Sequence, residues 1–140
     1  MITMKKSIIY PVPYANSEVE VLQFLEDEDV NSSYVNVLKE SSLLTDELLS
    51  DCLDVSVKTF RTYKNTQQSI SFSLKEHIVM LISLFQHGNA VFGSNQSFEN
   101  WLFKENLLLF NKKPSHFLKS VSGIRLIDDR LTGMEYGDNV

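Results

Sequence analysis

With 140 residues, 43% of them hydrophobic and 22% charged, the chain is long enough for one compact domain or two small modules sharing a core, and its composition excludes wholesale disorder. A net charge of −5 excludes a uniformly basic surface for non-specific nucleic-acid binding, yet the charge is uneven: −8 over residues 1–55, +4 over 56–115 and −1 over 116–140. The lone Cys52 excludes an internal disulfide and a multi-cysteine zinc site, as expected in a reducing cytoplasm.

At the N-terminus, Lys5 and Lys6 precede only Ile8, Ile9 and Tyr10 before Pro11, an apolar run too short for a signal peptide. No stretch approaches the roughly 20 apolar residues of a membrane span. A cytoplasmic protein without a membrane anchor is the expectation. The run Tyr10-Pro11-Val12-Pro13-Tyr14 reads as an extended arm, because each proline fixes its own φ and disfavours helix in the residue before it. Ser17 with Glu20 has the spacing of a capping box, followed by Val21, Leu22 and Leu25 on one face of a short helix that ends in the acidic run Glu26–Asp29.

From Ser32 onward the pattern is helical. Tyr34, Val35 and Leu38 share a face; Thr45 caps a helix that begins Asp46-Glu47 and buries Leu48, Leu49 and Leu53; Ser56 caps the next, with Phe60 and Tyr63 three apart. Ser73 with Glu76 suggests the start of the longest helix, whose stripe is Leu74, Ile78, Leu81, Ile82 and Phe85, ending near Gly88 or Gly93. Ser94 can cap a helix bearing Phe98, Trp101 and Leu102. Pro114 suits the first turn of another with Phe117 and Leu118, which Gly123 can terminate. Ile124, Ile127 and Leu131 begin a last helix, weakened by Gly133. No five-residue alternating pattern occurs, so the expected fold class is all-α.

The corner from Thr45 to Asn65 has the spacing of a helix-turn-helix, with Ser32–Ser41 as the first helix of the trio. Its second helix carries Lys58, Thr59, Arg61, Thr62 and Lys64, residue types that meet phosphates and base edges when such a helix lies in the major groove. Asp54 stands where the turn commonly has glycine, and aspartate tolerates the left-handed conformation. The same residues also fit a tri-helical structural unit with a solvated basic face.

Residues for catalysis are wanting. His77, His87 and His116 show no metal-ligand spacing and read as surface or packing residues. Asp51 and Asp54 beside Cys52 would raise its thiol pKa, and no phosphate loop or serine elbow exists. The expectation is a binding protein, not an enzyme, with no metal and no cofactor.

The most specific pattern lies in the last third. Ala90-Val91-Phe92-Gly93, Phe98, Trp101-Leu102, Asn106, Pro114, Leu118, Gly123, Leu131 and Glu135-Tyr136-Gly137 follow at set spacings. This series resembles the toxin-binding domain of the Xre/MbcA/ParS antitoxin family, and the upstream corner Leu44-Thr45 … Val55-Ser56-Val57-Lys58-Thr59 looks like that family's Xre-type helix-turn-helix. The resemblance spans roughly Ser41 to Val140. The chain departs from it at Phe98, where a small residue is usual, at Glu105, where proline is, and at Asn111 and Lys112, where glycines are. These departures bear on the loop between Asn106 and Pro114.

The expected division is an N-terminal arm and short helix over 1–31, whose role is unassigned, an Xre-like helix-turn-helix unit over 32–88 and a C-terminal toxin-binding domain over 89–140, the last two named from the resemblance. The resemblance implies a type II antitoxin that covers the active-site entrance of a RES-domain, NAD-consuming toxin, forms a homodimer, and represses its own operon through operator DNA. Catalysis and NAD binding would belong to the toxin. The expected toxin contacts are Trp101, Asn106, Glu135, Tyr136, Gly137 and Asp138. Trp101 also fits core packing between Phe98 and Phe117, whereas Tyr136, close to a chain end that would otherwise fray, fits a contact. Two other classes stand beside this one: a stand-alone helix-turn-helix regulator whose C-terminal domain only dimerises, and a metal-dependent hydrolase, which would need bound metal.

Overall fold

A computed structural model describes residues 12–137, which form seven α-helices: α1 Glu18–Asp27, α2 Ser32–Ser42, α3 Asp46–Leu53, α4 Val57–Asn65, α5 Phe72–Phe92, α6 Asn95–Leu102 and α7 Val121–Glu135. Two short 3-10 helices, Leu107–Leu109 and Pro114–Lys119, lie between α6 and α7. Among the described residues there is no strand, only an isolated bridge between Asn106 and Lys112. The all-α expectation is met.

The helix starts follow hydroxyl and amide caps. Side-chain oxygens of Asn31, Thr45, Ser56, Ser71, Ser94 and Ser120 each accept a backbone N–H from the first turn of α2, α3, α4, α5, α6 and α7, respectively. Two expected boxes differ. Ser17 stands at the N-cap of α1 without a side-chain cap bond, and α5 starts from Ser71, not Ser73, one residue after the buried Ile70. Asp54 ends α3 in the left-handed conformation, φ 58° and ψ 44°, which is the role its position in the corner demanded.

Helix α5 is the axis of the molecule. Ile78, Val79, Met80, Leu81, Ile82, Leu84 and Phe85 are all buried, so the helix is apolar around its circumference, more than the single stripe read from its period. It packs against α1, α2, α3, α6 and α7. The boundary expected between residues 88 and 89 falls inside this unbroken helix, which serves both the corner α2–α4 and the C-terminal elements. Gly88 does not stop it; the helix ends at Gly93, with φ 83°.

The C-terminal elements close on α5 through two glycines. A Cβ on Gly88 would overlap the Phe98 ring, and one on Gly123 would fall on the Phe117 carbonyl oxygen. Gly123 therefore does not terminate the preceding helix, as its position suggested; it lies in the first turn of α7, where its amide donates to Ser120 Oγ at 3.0 Å. Helix α7 runs on through Gly133 to Glu135.

Candidate partner-binding surface

The surface is rooted in an aromatic stack. Phe85 meets Phe98 edge-on at 5.5 Å, and Phe92, Phe98 and Trp101 stack with centroids 5.7–6.2 Å apart. Trp101 is thus a half-buried wall of the core. Its neighbours are Phe92 and Phe98, whereas the sequence pointed to Phe98 and Phe117.

Beyond α6, Asn106 organises the loop. Its Oδ1 accepts the Leu108 amide at 2.9 Å, its carbonyl accepts the amides of Leu109 and Asn111 at 2.9 Å, and its own amide donates to the Lys112 carbonyl at 3.0 Å. An asparagine with its amide oxygen and backbone so committed shapes the loop more than it offers contacts. The loop it shapes displays Leu107, Leu108 and Phe110, which are 79%, 51% and 87% exposed, while Leu109 is buried. Sequence reasoning did not single out these three. The signal was there: four consecutive large apolar residues on a single turn cannot all face inward.

At the far end of α7, Tyr136 is 83% exposed, and its backbone N–H still donates to the Gly133 carbonyl at 3.1 Å, so the ring stands on a finished helix turn. Gly137 is next, with φ 89°. Asp138 lies outside the described residues. Glu135 is not free for a partner alone: its Oε1 lies 2.9 Å from His87 Nε2. His87 Nδ1 in turn lies 2.7 Å from Oδ1 of the buried Asp128.

This histidine had read as a packing or surface residue. It is instead the centre of a charge cluster formed with the buried Asp128 and the exposed Glu135, 41 and 48 residues downstream. The hydrogen bond that His87 donates to Asp128 pushes its pKa up to about 8, against the opposing effect of burial, with Glu135 assisting. The arm joins the cluster. Tyr14 meets the His87 ring edge-on at 5.9 Å, and Asn16 Nδ2 donates to Asp128 Oδ2 at 3.0 Å and to Asp129 Oδ1 at 2.8 Å. Tyr10 and Pro11 of the expected arm lie outside the described residues.

The other histidines and the cysteine are quiet. His77 Nε2 donates to the Leu118 carbonyl at 2.8 Å, and burial lowers its pKa. Cys52 is buried, and its thiol is pushed up to about 12, first by burial and then by Asp51. Among the described residues no group of histidine, cysteine and carboxylate side chains could hold a metal ion, and no helix is long and apolar enough to cross a membrane.

In the corner α2–α4, α4 packs against both α2 and α3, but its basic face is partly spoken for. Asp46, at the start of α3, accepts from Lys39 at 2.9 Å, Arg61 Nε at 3.0 Å and Lys64 at 2.8 Å, and Arg61 Nη2 reaches Glu47 at 3.2 Å. Lys64, Lys39 and Arg61 hold the Asp46 carboxyl well below the usual carboxylate range. Thr62 Oγ1 donates to the Lys58 carbonyl, and Ser56 Oγ donates to Thr59 Oγ1. Lys58 is exposed and makes no ion pair among the described residues.

Comparisons with known proteins single out the same C-terminal elements. Residues 87–137 match the family model described as the antitoxin Xre/MbcA/ParS C-terminal toxin-binding domain, which bears out over that segment the resemblance read from Ala90 to Gly137. A chain of the crystal structure of the M. tuberculosis MbcT–MbcA toxin–antitoxin complex superimposes with a TM-score of 0.65 at 21% identity, covering 81% of this chain and all of that one. At that identity the likeness is one of fold. No curated protein matches the chain.

Proposed function

We propose that this chain, which carries over residues 87–137 the pattern of the Xre/MbcA/ParS toxin-binding domain, is an antitoxin that binds and silences a protein toxin through α7 and the residues after it. The observation that carries the reading is a coincidence of position. The segment matched by the family also presents Tyr136, an 83% exposed aromatic at the end of α7. Large aromatic side chains are the commonest anchors of protein interfaces. Glu135, next to Tyr136, is oriented by His87. The partner chemistry that the resemblance implies is a RES-domain enzyme that consumes NAD, with all catalysis on the toxin side and the antitoxin closing its active-site entrance.

Expression of the neighbouring open reading frame alone should arrest growth and deplete NAD, and co-expression of this chain should restore both. A harmless neighbour, or NAD loss unaffected by co-expression, contradicts the proposal.

A second part of the proposal is autoregulation: α4 would read operator DNA through Lys58, Thr59, Arg61, Thr62 and Lys64, with the chain as a homodimer. The left-handed turn at Asp54 and the packing of α4 against α2 and α3 support it. Phosphates would have to compete with Asp46 and Glu47 for Arg61 and Lys64, so the charge available at rest is mainly that of Lys58. If DNA binding were the chain's whole task, alanine at Lys58, Arg61 and Lys64 would abolish function and removal of Met134–Val140 would not.

A further inference from the structure

We propose that the loop Leu107–Phe110 is a second anchor for the same protein partner, seating Phe110 and Leu107 in an apolar pocket rimmed by carboxylates, at the opposite end of α7 from Tyr136. The inference rests on the antitoxin reading above and names a contact that reading did not contain.

Three independent features converge on the loop. The first is exposure: Phe110 and Leu107 are 87% and 79% exposed, an apolar display that contributes nothing to this chain's own core. The second is backbone conformation. Phe110 and Asn111 both occupy the left-handed region, φ 59° and 62°, a conformation costly for a bulky residue that lacks glycine's freedom. The left-handed pair closes the turn that the Asn106 and Leu109 carbonyls cap, and it does so with the Phe110 ring held outward.

The third feature is rigidity. Asn106 fastens the loop at four points, Lys112 N–H donates to the Leu109 carbonyl at 3.0 Å, and Leu109 is itself buried in the core. A loop already fixed in its presented conformation loses little entropy on docking.

Charge selects the kind of pocket. Lys104, Lys112 and Lys113 flank the loop, are exposed, and make no ion pair among the described residues, in a chain whose net charge is −5. Glu105 is the one acidic side chain among these flanking residues, so the collar is net positive by two, and an apolar tip within it fits an apolar pocket with an acidic rim; collar charges of this kind chiefly speed encounter. The chain's own α1 also offers acidic residues around the exposed Val19 and Leu22, which makes a second copy an outcome that the test must separate. A different protein is the better fit, because the loop lies inside the segment 87–137 that matches a toxin-binding domain and α1 lies outside it. Asn111, Lys112 and Lys113 line one cleft with Lys119, just ahead of α7, whereas Tyr136 follows α7, and 15 residues of α-helix span about 22 Å, so the two anchors would grip the partner at well-separated points.

The test measures affinity for the purified product of the neighbouring open reading frame, using full-length wild type, the double variant Leu107→Glu/Phe110→Glu, the double variant Lys112→Glu/Lys113→Glu, and a chain lacking Met134–Val140. Thermal melts and size-exclusion profiles accompany each. The loop variant should melt like wild type and bind at least tenfold more weakly, and the lysine variant should associate more slowly with a flatter salt dependence. Wild-type affinity in the loop variant, with binding lost in the truncated chain, overturns the second anchor while leaving the antitoxin reading intact. No binding by wild type overturns both. Concentration-dependent self-association that Phe110→Glu abolishes, without change in partner affinity, assigns the loop to a second copy and also overturns it.

Discussion

His87 on α5 and Asp128 on α7 face one another across the core at 2.7 Å, and the second ring nitrogen of the same histidine holds Glu135 at the helix end. One imidazole therefore ties the middle of the central helix to the last turn of the helix that presents Tyr136. Because the ring pKa is pushed up to about 8, above the roughly 6.5 of an unfolded histidine, the clamp's contribution is fully present below about pH 6.5 and is lost as pH rises through about 8. Wild type should unfold at lower urea concentration at about pH 9 than at about pH 6, and His87→Gln should remove that difference. An identical pH dependence in the variant contradicts the clamp.

Removing the ring altogether should cost more than weakening it. His87→Ala leaves the buried Asp128 with Asn16 as its remaining side-chain donor among the described residues, and the loss of one partner from a buried charged pair costs about 3 kcal/mol. Equilibrium denaturation checks this. A loss under about 0.5 kcal/mol, the size of a typical surface change, is inconsistent with a buried pair.

The two glycine contacts predict unequal damage. Gly88→Ala presses on the Phe98 ring, which can tilt, and should cost about 1–3 kcal/mol, the usual range for overpacking. Gly123→Ala presses on the Phe117 carbonyl, a backbone atom, so the segment Pro114–Lys119 must move relative to α7 and the larger loss is expected there. Thermal melts of the two variants rank them directly. Equal stability of Gly123→Ala and wild type would rule out the close approach.

Asp46 separates the two roles open to the corner. Its carboxyl is depressed by three cations, so its contribution is present above about pH 4 and is lost as pH falls below that. Asp46→Asn should cost about 1 kcal/mol or less at neutral pH, since Arg61 is half exposed and Glu47 remains. If α4 binds operator DNA, freeing Arg61 and Lys64 should raise affinity and steepen its salt dependence. Unchanged or weaker DNA binding by Asp46→Asn would falsify the phosphate role of that pair.

Much of the fold was legible because it is written in short-range chemistry. Thr45, Ser56 and Ser94 cap as read, Asp54 takes the left-handed turn, and the apolar period located α5. The errors arose where tertiary contact outweighs local pattern. Ser73-x-x-Glu76 is a good capping box, yet α5 starts from Ser71, and Gly123 looked like a terminator because its close approach to Phe117 is invisible locally.

The candidate surface was legible in part. Tyr136 stood out as an aromatic near an end, and it is exposed. The His87 cluster could not be read, because its members come together only when α5 and α7 pack. Arg61 and Lys64 looked free because their partner Asp46 lies 15 and 18 residues upstream on another helix.

The central claim is that α7 and the residues after it hold a protein partner, and complex formation tests it most directly. The full chain and a chain lacking Met134–Val140 can each be mixed with the purified product of the neighbouring open reading frame and resolved by size exclusion with light scattering. The full chain should form a stable complex and the truncated chain, folded by circular dichroism, should not. Equal complex formation by both chains, or none by either, contradicts the claim.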